Sequence, residues 1–244
     1  MMENNWNLSN NAQPGIASAT VSRTFMANVF SWMAGALAIS AITAYIFGTD
    51  TSYLQYLLNL EVGKPTILGW IVMFAPLGLV MLMGFGFQKL SSTALIGVFL
   101  LYAVLTGMSL SFIFLAYTQA SIAGVFGATA GMFGLMALVG YTTNTDLTKL
   151  GSILMMALIG IVVASLINMF LKSDKMGYII SIISVIVFTG LTAYDVQKLK
   201  NIGSQVQDGT EESTKISIMG ALTLYMDFIN LFLALLRLFG NRRD

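Results

Sequence analysis

The chain has 244 residues, 57% of them hydrophobic and only 9% charged, with a formal net charge of +1. A soluble domain carries about 25% charged residues, so this composition reads as an integral membrane protein with little room for a soluble domain, and it offers no electrostatic footprint for nucleic acid. Cysteine and histidine are both absent, which excludes disulfides, thiolate metal sites and His-ligated zinc or haem and leaves any pH sensing near neutrality to carboxylates.

Residues 1–22, MMENNWNLSNNAQPGIASATVS, are polar, rich in Asn and Ser, and read as a mobile tail. They lack a basic start followed by a short apolar core, so no cleavable signal peptide is expected and the first apolar segment directs insertion. Residues 23–244 read as a seven-helix transmembrane domain, since about 20 apolar residues cross the hydrocarbon core. The expected spans are Phe25–Phe47, Thr66–Phe87, Thr93–Tyr117, Ile122–Tyr141, Ser152–Leu171, Tyr178–Tyr194 and Ile216–Phe239. TQAS, after the third span, is the weakest break between them.

Basic residues near span ends set orientation. With the N-terminus cytoplasmic, Arg23, Lys89, Lys149, Lys198, Lys200 and Lys215 lie inside, and Lys64, Lys172 and Lys175 outside. Seven full crossings also put Arg237, Arg242 and Arg243 outside, which removes the bias; a re-entrant last segment would bring those three inside. The expected location is a bacterial cytoplasmic (inner) membrane with the N-terminus cytoplasmic.

Spacing indicates which helix faces meet. The second span holds Pro76 among glycines, a kink that serves either packing or a moving gate. In the fourth span Gly124, Gly127, Gly131 and Gly134 form a stripe of the kind that lets helix backbones approach closely. Asp146, in the polar link before the fifth span, is placed to cap that helix. Glu211 and Glu212 read as part of a solvated loop. In the last span Gly220, Thr223, Asp227, Asn230, Ala234 and Arg237 recur at steps of three and four. That small-and-polar stripe should face other helices, because lipid offers polar groups no partner. Arg237, near the span's end, could pair with an acid across the bundle, but is expected to snorkel to the interface.

Asp227 is the most informative residue. An ionised Asp at the centre of a lipid-embedded helix costs about 2.5–3.5 kcal/mol or more. Such a residue persists where it faces a protein interior or a wet cavity. Its expected partner is Asp195, at the end of the preceding apolar run. Asp227 lies about twelve residues into its helix, so at ~1.5 Å per residue the two depths differ by ~10 Å unless the sixth helix continues through TAYDVQKLK. The bland alternative has Asp195 at the interface and Asp227 as hydrogen-bonded glue between helices.

Three stretches go further: Tyr141–Phe170 (YTTNTDLTKLGSILMMALIGIVVASLINMF), Phe188–Lys200 (FTGLTAYDVQKLK) and Gly220–Gly240 (GALTLYMDFINLFLALLRLFG). Together they resemble the Bax inhibitor-1/YccA family, also called the transmembrane Bax inhibitor motif family, and the resemblance runs from about Ser22 to the C-terminus. It implies an all-α membrane fold of seven transmembrane helices with the last helix central, wrapped by the other six. It also implies a pH-sensitive calcium leak with an aspartate pair as sensor, and by motif that pair is Asp195 in TAYDVQ and Asp227 in YMDFINLF. Val196 stands where many members have threonine. Some members place a basic residue at the cytoplasmic end of the second helix; the counterpart here is Lys89, so an arginine latch does not carry over.

Two carboxylates close together in low dielectric do not both ionise cheaply, and they titrate as a coupled pair. Once fully deprotonated, the pair offers two negative charges to a divalent cation, and calcium prefers hard oxygen ligands. Two carboxylates fall short of the six to eight ligands of a tight calcium site, so Asp195 and Asp227 would form a weak one, completed by Asn230, backbone carbonyls and water. Weak binding suits a conduction path.

The leading reading is therefore a pH-sensitive cation (calcium) leak channel gated by protonation of the pair. Its partners would be the lipid bilayer, calcium ions and protons, with calcium as the transported ion and no cofactor. A second reading is a regulatory membrane protein that modulates a membrane protease or a cell-death regulator without ion flux, its contacts carried by the N-terminal tail and the Lys198–Lys215 loop. A third, a proton-coupled transporter, calls for a duplicated half with paired broken helices, and no internal repeat is visible. No nucleophile motif accompanies the missing His and Cys, so an enzyme is not expected.

Overall fold

The computed structural model describes residues 14–207 and 209–243. Among them seven helices are long and apolar enough to cross a membrane, and the protein is an integral membrane protein of the expected all-α class. The helix α1 runs Pro14–Thr49. It begins inside the stretch read as a tail, the rest of which, residues 1–13, lies outside the described residues. A short helix α2 (Thr51–Leu57) leads to a small antiparallel ribbon, β1 (Leu58–Asn59) with β2 (Lys64–Pro65). This connection, expected only as a polar interruption, turns at Gly63, whose φ of 67° favours glycine.

The remaining elements are α3 (Ile67–Gly86), α4 (Ser92–Leu110), the single turn α5 (Ile113–Ala116), α6 (Gln119–Thr142), α7 (Thr148–Leu171), α8 (Asp174–Gly203) and α9 (Glu211–Phe239). Their starts follow from local chemistry. Thr66, Ser91, Thr118, Ser173 and Thr210 each turn a side-chain oxygen onto a free first-turn N–H. Asp146 accepts from the Thr148 backbone N–H at 2.9 Å, one residue ahead of the cap position Leu147. The Thr148 hydroxyl and N–H hold the Asp146 carboxyl below the ordinary carboxylate range. Its contribution is thus present above the usual aspartate pKa and lost as pH falls through the lowered one.

The helix α9 is the core. Of its most apolar stretch 72% is buried, against 17% in α3 and 11% in α7. It packs on α1, α4, α6 and α8, while α3 leans chiefly on α4 and α7 on α8. Four helices therefore enclose α9 closely, and two stand in an outer layer, a correction to a full ring of six. Glu211 and Glu212 belong to the first turn of α9 rather than to a loop. Acidic residues suit the positive end of a helix dipole. Glu211 also accepts from Ser92 N–H of α4 at 3.1 Å and pairs with Lys215 at 3.7 Å.

The last helix crosses completely. Beyond it Thr118 N–H donates to Asn241 O at 3.1 Å, and Arg243 N–H donates to Ala116 O at 3.0 Å. The chain end is thereby tied to the α5–α6 junction, on the face opposite the α8–α9 turn, so a re-entrant last segment is ruled out.

Close helix contact does not use the expected glycine stripe. A Cβ at Gly124, Gly127, Gly131 or Gly134 would meet nothing within 4 Å. Two of the tight approaches between spanning helices are at Gly140 of α6, against the Ala193 backbone of α8, and at Gly107 of α4, against Ser40 of α1. Spacing identified a small-residue face on α6, but that face points away from the bundle.

This difference is testable by substitution. Gly140→Ala should lower stability by roughly 1–3 kcal/mol or more, the usual range for overpacking. Gly127→Ala should be neutral or slightly stabilising, because alanine favours helix by about 1 kcal/mol over glycine. Thermal unfolding of both variants in detergent checks the contrast; equal effects would mean that α6 and α8 do not meet at Gly140.

Candidate functional site

Helix rotation distributes the YMDFINLF segment of α9 among its neighbours. The Tyr225 ring packs edge-on against Phe99 and Tyr102 of α4, and its hydroxyl lies 2.7 Å from Ser40 Oγ of α1. Phe228 meets Phe126 and Phe133 of α6. That leaves Asp227 facing α8. Both faces beside it are fixed by large rings, so it has little freedom to turn elsewhere.

Asp195 reaches the same depth because α8 continues to Gly203, past the polar KLK residues. Two side chains hold this extension. Gln197 accepts from Leu147 N–H at 2.9 Å and donates to Thr145 O at 2.8 Å. Lys200 donates to Tyr141 O at 2.7 Å, at the end of α6, and stacks over the Tyr141 ring. Val196 is fully buried, so an apolar residue suits the position following Asp195.

The structure brings the two predicted acids together. Asp195 is 9% exposed and Asp227 6%, and their carboxyl groups lie within hydrogen-bonding reach of one another. Asp227 Oδ2 is buried with no donor. Two ionised carboxylates only accept hydrogen bonds, so this contact becomes a bond when one proton sits between them. Without it, two like charges face each other out of water.

A cavity of about 440 Å³ opens beside the pair. Met155 and Leu158 of α7 form one wall, Leu191 and Tyr194 of α8 another, and Thr223 and Met226 of α9 a third. It exists because α7 packs chiefly on α8. Asn230 lines it too, exposed and donating to Met226 O at 2.8 Å, so its amide oxygen is available to the cavity. The last-span stripe is therefore not buried throughout: Gly220, Asp227 and Ala234 are, whereas Asn230 and Arg237 are exposed.

Lys89 does not join this site. It is exposed beyond the end of α3 and does not line the cavity. The cation beside the pair is Lys198, which lines the same cavity with its ammonium 5.9 Å from the Tyr194 ring centre. Sequence reasoning passed over it, although Lys198 is three residues after Asp195 and so shares its helix face. Among the described residues no group of three or more acids, histidines or cysteines gathers to hold a metal.

A family model described as "Inhibitor of apoptosis-promoting Bax1" matches residues 22–244. The chain belongs to the Bax inhibitor-1/YccA family. Inner membrane protein YbhL of Escherichia coli K12 is 50% identical over 91% of this chain and 93% of its own length. Uncharacterized proteins of Rickettsia prowazekii and Borreliella burgdorferi are 45% and 44% identical, over 91% and 92% of this chain and 91% and 94% of theirs. The matched region of this Bax inhibitor-1 family protein contains every span and both aspartates.

The anchoring of α8 yields a second prediction. Gln197→Ala removes two hydrogen bonds, each worth about 0.5–1.5 kcal/mol net. Faster backbone hydrogen exchange over residues 196–203 is expected, with a modest fall in unfolding temperature. Unchanged exchange there would show that α8 holds its end without Gln197.

Proposed function

We propose that this protein is a pH-sensitive cation leak channel, with calcium as the transported ion, gated by protonation of Asp195 and Asp227. The observation that carries the reading is the buried contact between these two carboxyls beside a cavity lined by Asn230. With one shared proton the pair closes on itself and draws α8 to α9. Proton loss leaves two facing charges that either separate or take up a cation. Calcium suits two carboxylates and an amide oxygen, and so few ligands bind it weakly enough to release it. Lys198 adds a positive charge at the cavity's edge that favours the deprotonated pair and competes with the ion.

The role is transport and not catalysis. We place the protein in a bacterial cytoplasmic membrane, consistent with the E. coli relative, which is named an inner membrane protein. We place its N-terminus in the cytoplasm, although the complete crossing of α9 puts Arg237, Arg242 and Arg243 on the other face and leaves six basic residues on each.

Calcium uptake into proteoliposomes between about pH 6 and 8, a range accessible to coupled carboxylates, tests the gate. Asn at either position should remove most of the pH-dependent change, whatever the basal flux. The double Asn variant should be little worse than either single one, because partners in one coupled site are not additive. Lys89→Ala should change little. An unchanged profile in folded Asp227→Asn would defeat the gating model and favour the regulatory protein without ion flux.

A further inference from the structure

The cavity beside the aspartate pair is one of three in a row. At Leu158, Phe188 and Asn230 it adjoins a second, of about 490 Å³, which continues between α7, α8 and α9. The second adjoins a third at Arg237, lined also by Asp174, Lys175, Tyr178, Ile179 and Arg242. The row follows α9 from Asp227 to its last turn and opens on the face where the chain ends.

Arg237 stands at the junction of the inner and outer cavities. Its guanidinium crosses from α9 to lie against the backbone of Gly177 in the first turns of α8, where a Cβ would overlap it. Among the described residues the charge has no salt-bridge partner, the salt bridge found there being Lys215–Glu211. Among the described residues Asp174 is the one carboxylate lining the outer mouth, against Lys175, Arg242 and Arg237. A cation at the end of α9 is favourable, but the N-terminal turn of α8 beside it gives a cation no stabilisation. Arginine keeps its charge at all relevant pH, so this charge is fixed while that of the aspartates varies.

We propose that Arg237 is a charge filter at the entrance to the α7–α8–α9 groove, admitting water and anions to the inner cavity more readily than cations from that face. It deepens the leak reading and rests on it for the ion, though not for the access route. A groove with low-dielectric walls focuses such a charge, and the guanidinium sets a barrier that a divalent cation feels twice as strongly as a monovalent one. The aspartate pair would then supply the pH response and Arg237 the resistance to calcium.

The absence of cysteine permits a test that needs no ion flow. Ser184→Cys puts a thiol on the wall of the inner cavity. In proteoliposomes, cationic and anionic methanethiosulfonate reagents are added to the C-terminal face. The anionic reagent should react faster by about tenfold, the lower end of focusing effects on association rates. Adding Arg237→Gln should bring the two rates together, Arg237→Lys should keep them apart, and high salt should narrow the gap with Arg237 intact. Arg237→Gln should also raise calcium flux severalfold while leaving its pH profile in place. Absence of reaction with either reagent, or a rate ratio unmoved by Arg237→Gln and by salt, would overturn the filter. If no variant passes calcium while the rate ratio behaves as expected, the filter stands and the leak reading fails.

Discussion

A carboxylate within the hydrocarbon layer must have something other than lipid beside it, and the bundle is arranged around that requirement. Asp227 can be accommodated because α9 is enclosed on most sides. Enclosure on those sides comes from apolar contact, with Tyr225 and Phe228 seated against α4 and α6. On the remaining side the neighbour is another acid. A second carboxylate is a poor partner unless a proton is present, so the least comfortable contact in the molecule is also the one most responsive to its surroundings.

The looseness of α7 matters equally. A seventh helix packed onto α9 would fill the space beside the pair and leave the acids dry. Because α7 rests on α8, a cleft with serine, asparagine and arginine along it runs down α9. Irregular or polar surface at membrane depth is tolerated where it lines such a cleft. The outer layer therefore contributes to the site by what it leaves open.

Hydropathy made the seven crossings legible, and three-and-four spacing picked out Asp227 and its stripe. The end of α8 was harder to read. Apolar character stops near Tyr194, and Lys198 and Lys200 look like the start of a loop. The helix persists because Gln197 and Lys200 find partners at 141–147, contacts between segments some fifty residues apart. The same limit hid Lys198 and overvalued Lys89, since only the continued helix puts Lys198 beside Asp195. The α6 glycines show a different limit. Spacing reveals that residues share a face, but the partner of that face depends on the whole arrangement, and here the face meets nothing close among the described residues. Asn230 lay in the expected stripe yet opens into the cleft, because no helix covers α9 at that point.

The central position of α9 has a consequence for how the protein is made. The helix that forms the core leaves the ribosome after the six other spanning helices. Until it arrives, the six earlier segments must wait in the bilayer as an unfilled shell, with Asp195 already present and its partner still unmade. Four of those segments close on α9 directly, so their final packing has to follow its insertion. A transcript broken even shortly before Glu211 would leave a set of inserted helices with nothing at their centre.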